Sequence, residues 1–294
     1  MSNRWNGRRP AGRIAYVDGH YVRHPAAAVH IEDRGLQFGD SVYEVCRLVS
    51  GRFVDEPEHL ERLERSLGEI GMAMPMSRAA LRHVMAEAAR RNGVRDGLLY
   101  LQVTRGAVRR DHPIPINPPK PTLIVTVRPL DMAGIARRQA EGVSVVSHVD
   151  ERWARCDIKT TQLLPNLLAK TAARDAGAVE AWLIDSDGFV TEGASTNAWI
   201  VDGRGQVITR DLSHAILPGV TRRVILEAAA EAQIPVVQRR FTLEEALTAR
   251  EAFLSSASGG AIAVVAIDGR RIGEGKPGPL TRRIAELYAK RSQE

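Results

Sequence analysis

The stretch Asp157-Ile158-Lys159-Thr160-Thr161 runs into the apolar residues Leu163, Leu164, Leu167 and Leu168, and further on stands Thr191-Glu192-Gly193-Ala194-Ser195-Thr196-Asn197. Lys159 is one of only five lysines, with Lys120, Lys170, Lys276 and Lys290, in a chain holding 41 Lys and Arg. A lysine kept beside Ile and Leu, where the chain otherwise uses arginine, marks a position that arginine does not serve. Arginine cannot lose its proton; a desolvated lysine can, and can then form a Schiff base. From the residue alone, a surface lysine at the start of a helix is the more ordinary reading. The partners supplied elsewhere decide between the two.

The 294 residues suffice for a sizeable core, as one large domain or two medium ones. A hydrophobic content of 44% with 26% charged residues is ordinary for a soluble globular protein, and no apolar run is long enough to span a bilayer. Met1 to Arg13 is polar and basic without an apolar h-region, so it reads as a tail and not as a secretory signal. Cys46 and Cys156 stand far apart and outside any CxxC pattern, which indicates neither a disulfide framework nor a zinc site and fits a reducing, cytoplasmic setting. The net charge of +6 admits a nucleic-acid partner, but Arg8-Arg9, Arg109-Arg110 and Arg270-Arg271 are pairs interspersed with acids, as on a solvated surface.

Periodicity predicts a hairpin over Ile14–Val22 turned by Asp18-Gly19, then a polar loop through Glu32–Asp40. Next come a strand over Ser41–Val49, a turn at Ser50-Gly51 and a helix from Pro57 to Gly71. Ser77 and Gly93 bracket a second helix. Gly97–Thr104 and Thr122–Val127 read as strands, separated by a loop whose prolines exclude regular pairing. The domain boundary is expected within Pro129–Gly142, giving a smaller N-terminal α/β domain over 1–133 and a larger C-terminal one over 134–294. Strands at Val143–Val149, Glu180–Ile184 and Thr196–Val201 follow, with a helix opening at Leu217-Pro218-Gly219-Val220-Thr221 and a Thr242/Glu245 capping box. A strand entering Ser255-Ser256-Ala257-Ser258-Gly259-Gly260, a strand at Val264–Ile267 and a final helix through Leu280, Ile284 and Leu287 complete the chain. Mixed strands and helices throughout predict an α/β (α+β) architecture of two domains with a cleft between them.

A lysine imine to pyridoxal phosphate needs an anion site, a carboxylate at the pyridine nitrogen and a handle for the substrate carboxylate. The helix start at Gly219-Val220-Thr221 offers backbone donors and a positive dipole end for a phosphate, and the Ser255–Gly260 loop offers more. Glu192 can hold the pyridine nitrogen protonated. Taken singly, these are also a helix cap, a flexible turn and a surface glutamate.

Their order carries more weight. Glu32-Asp33-Arg34-Gly35-Leu36-Gln37-Phe38-Gly39-Asp40, Glu58-His59-Leu60-Glu61-Arg62-Leu63, Gln102-Val103-Thr104-Arg105-Gly106, Arg155-Cys156-Asp157-Ile158-Lys159, Thr191-Glu192-Gly193 and Gly219-Val220-Thr221-Arg222 follow one another. In this the chain resembles the fold-type IV, or class IV, pyridoxal-phosphate aminotransferases over nearly its whole length, and within them the D-amino-acid aminotransferases. The resemblance implies two domains with the cofactor in the interdomain cleft. It makes Lys159 the Schiff-base lysine and the base that moves a proton between the substrate Cα and the cofactor C4′. Glu192 becomes the pyridinium partner. Arg62, Val220 and Thr221 become phosphate ligands with Ser256 and Ala257 nearby, and Leu217 packs on the ring. Relatives often carry a hydroxyl residue where Ala257 stands, and a Glu and a Pro where Gly260 and Ala263 stand.

The resemblance also assigns Arg110-Asp111-His112, with Tyr43, as the grip on the substrate carboxylate. The position of that grip relative to the ring face served by Lys159 decides which enantiomer offers its Cα–H. It further implies D-alanine as amino donor, a 2-oxo acid such as 2-oxoglutarate as acceptor, a ping-pong mechanism, and a homodimer whose loops reach the partner's site. A branched-chain L-aminotransferase, an (R)-amine transaminase or an aminodeoxychorismate lyase would use the same cofactor, and the Arg110/His112 pair argues against them. Neither a nucleic acid, nor a membrane, nor a metal is expected as a partner.

Overall fold

The computed structural model describes residues 12–292; Arg8-Arg9 and most of the Met1–Arg13 tail lie outside the described residues. The chain divides into two units: Met1–Phe53 with Leu60–Leu130, and Val54–His59 with Asp131–Glu294.

In the first unit, Asp18 and Gly19 both adopt positive φ, 41° and 98°, and so turn β1 (Ile14–Val17) into β2 (His20–Arg23) in the manner a two-residue hairpin requires. The predicted polar loop contains a five-residue helix, α1 (Arg34–Phe38), too short to show an apolar stripe. Asp33 caps it by accepting from the Gly35 amide, and Gly39 closes it at φ 67°. β3 (Ser41–Val49) alternates: Val42, Glu44, Cys46 and Leu48 are buried, whereas Tyr43, Val45 and Arg47 are half-buried on the opposite face. β4 (Arg52–Phe53) completes the second hairpin, and α2 (Glu56–Glu69) and α3 (Arg78–Asn92) follow. Ser77 caps α3 through the Ala80 amide and Gly93 ends it in the left-handed region, as predicted. With β5 (Gly97–Thr104) and β6 (Thr122–Pro129) the strands form an antiparallel sheet in the order β2-β1-β6-β5-β3-β4. Leu60, Leu63 and Leu67 of α2 and Leu81 and Met85 of α3 are at most 1% exposed, and each such side chain contributes about 1.5–3 kcal/mol on burial.

One cluster ties α1 to the end of β5. Arg34 Nε and Arg105 Nε both donate to Asp40 Oδ2, at 2.8 and 2.7 Å. Burial opposes the Asp40 charge, but the hydrogen bonds from Arg105 and Arg34 outweigh it and hold the carboxyl below its usual range. A carboxyl depressed in the folded state stabilises it above the unfolded value, about 3.9, and loses that contribution as pH falls through the folded value. Wild type should therefore melt above Asp40→Asn at neutral pH, and thermal scans should show the gap closing on acidification below about pH 4. A gap that stays constant into the acid range would contradict this account.

The longer segment of the second unit opens with α4 (Met132–Glu141), inside the segment expected to be a domain boundary. It buries only Gly134 and Ile135. β7 (Val143–Val149) and β8 (Glu180–Ile184) are parallel neighbours, and parallel strands need a long crossover. That crossover carries Lys159 and then α5 (Leu164–Asp175). The predicted apolar run is helical, but Leu164, Leu167 and Leu168 are 67%, 58% and 54% exposed. Ala169 and Ala173 instead pack α5 onto Ala181 and Leu183 of β8.

Next come β9 (Val190–Gly193), β10 (Asn197–Val201) and β11 (Val207–Thr209), then α6 (Val220–Glu231), β12 (Val236–Gln238) and α7 (Leu243–Leu247). β13 (Glu251–Ser256), β14 (Gly260–Ile267), β15 (Arg270–Arg271) and α8 (Pro279–Arg291) close the unit. The sheet runs β12-β11-β10-β13-β14-β7-β8-β9, with β15 on β14. Alternate residues of β10 and β13 enter different cores. Trp199, Val201 and Phe253 pack with Val224 and Ile225 of α6 and Ile284 of α8. Ala198, Ile200 and Leu254 pack with Trp182, Phe241 and Ala246. A strand covered on both faces reads as a continuous apolar run, which is why Asn197–Val201 shows no alternation. Among the described residues no helix is long and apolar enough to cross a membrane.

Candidate active site

Lys159 sits half-buried between Ile158 and Thr160, which are 4% and 6% exposed. Its loop is pinned by the Cys156 amide donating to the His214 carbonyl at 2.8 Å and by the Arg155–Asp157 pair at 2.9 Å. Burial pushes the Cys156 thiol up to about 12, against the pull of Arg152, so this cysteine stays a thiol beside the lysine loop.

Glu192 lies on β9, 5% exposed, and takes three donors. Arg152 Nη1 donates to Oε1 at 2.5 Å, Asn197 Nδ2 to Oε2 at 2.9 Å, and the Leu217 amide to both oxygens at 3.1 and 3.2 Å. Arg152 is held in turn by Asp150, through Nε and Nη2 at 2.9 and 2.8 Å, and by the Ala215 carbonyl at 3.1 Å. Burial pushes the Glu192 carboxyl up, while Arg152 and the Leu217 amide favour the carboxylate. Burial also works against the Arg152 charge, but Glu192 and Asp150 more than restore it. The pair is a buried acceptor backed by a fixed cation.

The start of α6 adjoins this carboxylate. Gly219 is its N-cap and no side chain caps the helix, yet Val220 and Thr221 there are 5% and 4% exposed. A buried helix N-terminus without a side-chain acceptor is a place for an anion. A Cβ at Gly219 would collide with Asn197 Oδ1, so glycine lets the helix start approach the Glu192 network. Asn197 pairs with Ser255 across β10 and β13, and Trp199 Nε1 donates to Ser255 Oγ at 2.9 Å. Beyond it, the Ser256 and Ser258 hydroxyls lie 3.3 Å apart and Ser256 Oγ accepts from the Gly259 amide at 3.3 Å, while Ala257 has only its backbone to offer. Gly260 adopts φ 67° and faces the Tyr288 ring, a conformation and a close approach that suit glycine.

Lys159, Glu192, Leu217, Val220, Thr221, Ser256 and Ala257 thus belong to one unit. Asn197 bonds to Glu192 and to the Leu217 carbonyl, abuts Gly219 and pairs with Ser255. The donor set fits pyridoxal phosphate: a primary amine for its aldehyde, a backed carboxylate for its ring nitrogen, and amides with serine hydroxyls for its phosphate. Sequence reasoning missed Arg152, which carries no local signal, and gave Asn197 no role although it stands in the quoted motif.

The other predicted residues lie in the first unit. Tyr43 stacks on Tyr100 with ring centroids 5.6 Å apart. Arg62, 8% exposed, meets Glu44 through two hydrogen bonds of 2.7 and 2.8 Å. Burial works against its charge and Glu44 more than restores it, so it remains a cation. Arg110 and His112 are exposed, and both lie against Phe38: the Arg110 guanidinium 5.0 Å from the ring centroid, the His112 ring 5.6 Å centroid to centroid.

The chain is 40% identical over 267 residues to a D-alanine aminotransferase of Bacillus licheniformis, covering 91% of this chain and 93% of that one. It is 38% identical over 273 residues to a D-alanine aminotransferase of Listeria monocytogenes serotype 1/2a (strain 10403S), covering 92% and 93%. Among solved structures it is similar to the branched-chain amino acid aminotransferase of Escherichia coli, with a TM-score of 0.84, 25% identity and coverage of 95% and 94%. It is also similar to the T.th. branched-chain amino acid aminotransferase with pyridoxamine 5′-phosphate, with a TM-score of 0.86, 25% identity and coverage of 95% and 93%. The family model for amino-transferase class IV matches residues 41–267, from β3 to the end of β14, spanning Lys159, Glu192 and the α6 start. The chain belongs to the class IV aminotransferases.

Proposed function

We propose that this class IV aminotransferase moves an amino group from a D-amino acid, D-alanine first among them, to a 2-oxo acid such as 2-oxoglutarate in two half-reactions. The observation that carries the reading is the Arg110-Asp111-His112 turn, whose two basic side chains lie together against Phe38. A guanidinium and an imidazole two residues apart suit a carboxylate, and Tyr43 adds a phenol. The D-alanine aminotransferases at 38–40% identity support it.

Pyridoxal phosphate, when bound, supplies an electron sink for the pair left on the substrate Cα. The Lys159 amine would hold the cofactor through its aldehyde carbon and would move a proton between the substrate Cα and C4′. Glu192 keeps a proton on the pyridine nitrogen, and Arg152 and Asn197 hold Glu192 in place. The amides of Val220 and Thr221, the Ser256 hydroxyl, the Ala257 backbone and Arg62 take the phosphate, and Leu217 packs on the ring. Tyr43, Arg110 and His112 bind the substrate carboxylate and so select the enantiomer that presents its Cα–H to Lys159. The working form is a cytoplasmic homodimer, a state that sedimentation at low concentration tests.

The decisive experiment is a visible spectrum of the holoenzyme before and after D-alanine or L-alanine. The expected result is a cofactor band that shifts with the D-enantiomer alone. A band that shifts with L-leucine, or with (R)-1-phenylethylamine and not D-alanine, would move the assignment to the branched-chain or amine branch, in keeping with the similarity to branched-chain enzymes.

A further inference from the structure

Two stretches of the first unit run side by side. The Arg34 amide donates to the Gly106 carbonyl at 3.0 Å, the Val108 amide to the Glu32 carbonyl at 3.3 Å, and Asp33 bridges to Ala107. The α1 segment therefore fixes the chain as it leaves β5, but backbone pairing stops at Val108, short of Arg110. From there the register is carried by one side chain. Arg34, 4% exposed, donates through Nη1 to the Asp111 carbonyl at 2.7 Å and through Nη2 to the His112 carbonyl at 3.2 Å, while its Nε holds Asp40. Its guanidinium also lies 4.8 Å from the Phe38 ring centroid, and Arg110 and His112 lie against that same ring.

The chemistry of the two guanidiniums differs. Arg34 is paired with Asp40, a carboxylate it shares with Arg105, and its three donor nitrogens are used within the fold. Arg110 is exposed, with the Phe38 ring for a neighbour and no salt bridge to an acid among the described residues. Phe38 offers its electron-rich face to both cations, which steadies a long side chain without neutralising it. The backbone of the turn is thus clamped from beneath and the Arg110 side chain is steadied from the side.

We infer that Arg34 and Phe38 are positioning residues that set the Arg110/His112 grip on the substrate carboxylate. This rests on the reading of Arg110 and His112 given under Proposed function. Lysine cannot replace Arg34, because an ammonium has no planar fork to span two carbonyls while holding Asp40. Misplacing a binding group by about 1 Å can cost on the order of 100-fold.

The test uses the holoenzyme with Arg110→Ala, Arg34→Lys, Phe38→Leu and the double variant Phe38→Leu/Arg110→Ala. Phe38 is half-buried, so its variant keeps the proposal open to refutation if Arg34→Lys fails to fold. Arg110→Ala should raise the KM for D-alanine about 100-fold, and Arg34→Lys and Phe38→Leu about 10-fold or more, with kcat within about 3-fold and the cofactor band unmoved. Phe38→Leu should add little once Arg110 is gone, since residues acting through one another are not additive. If Arg110→Ala raises KM but Phe38→Leu does not, or adds in full to Arg110→Ala, the positioning inference is overturned and the grip stands. If Arg110→Ala leaves KM unchanged, the reading of the grip itself fails, and the inference with it.

Discussion

Lys159→Ala should lower kcat for D-alanine by at least about 10⁴-fold, some 5.4 kcal/mol at about 1.36 kcal/mol per tenfold. Two losses combine. Removing a positioned acid–base group typically costs about 10²–10⁴-fold, and losing the covalent attachment removes a second route to the same barrier. The fold should survive, because Asp157, Ile158 and Thr160 are the buried members of the segment and the Cys156 amide still holds the loop to His214. A melting temperature close to wild type, with turnover gone, separates chemistry from folding. Borohydride reduction of the wild-type holoenzyme followed by peptide mass mapping should place the cofactor on Lys159, and on no peptide of the variant. Full activity in Lys159→Ala would remove the basis of the mechanism.

Glu192→Gln is expected to produce the second largest loss, about 10²–10³-fold in kcat, comparable to removing a preorganised charge elsewhere. The amide keeps the shape and one acceptor oxygen, so the Leu217 and Asn197 contacts can persist in part. What disappears is the negative charge that, on the proposed mechanism, would hold a proton on the ring nitrogen. Arg152 is left with Asp150 as its remaining anionic partner at 7% side-chain exposure. Breaking a buried pair from one side costs about 3–5 kcal/mol, here softened by Asp150. Glu192→Gln should therefore melt several degrees lower, and the double variant Glu192→Gln/Arg152→Met, which also strips the buried Asp150 of its cation, should melt lower still without regaining activity. Recovered activity in the double variant would mean that Arg152, not the missing carboxylate, limits the single one.

The sequence carried whatever local chemistry enforces. Asp18-Gly19, Ser77 with Gly93, and Thr242 with Glu245 sit where positive φ or an orphan amide demands them, and all three appear in the structure as read. The short elements were not legible. α1 has only five residues, while β9 and β11 are short and wholly buried, so none shows a period; α4 falls in the segment read as a domain boundary. The leucines of α5 read as a helical run and the helix is there, but it is Ala169 and Ala173, not the leucines, that pack it onto the sheet. In the site, Lys159 and Glu192 stood out by residue type and motif. Arg152 did not, because its meaning lies in a contact 40 positions away with Glu192, and nothing near it in the chain announces that.

The parallel pairing of β7 with β14 has a consequence for the order in which the protein forms. Val143 finds its partner at Val264, roughly 120 positions later, and pairings of such high contact order are slow to close. On a growing chain, β7, β8 and the whole crossover bearing Lys159 emerge long before β14 exists to flank them. Until then one edge of β7 is an open template, the kind of exposed strand that chaperones cover and that pairs wrongly with other chains. The strand that leads into the lysine loop is thus made early and flanked late, by a strand near the end of the sequence.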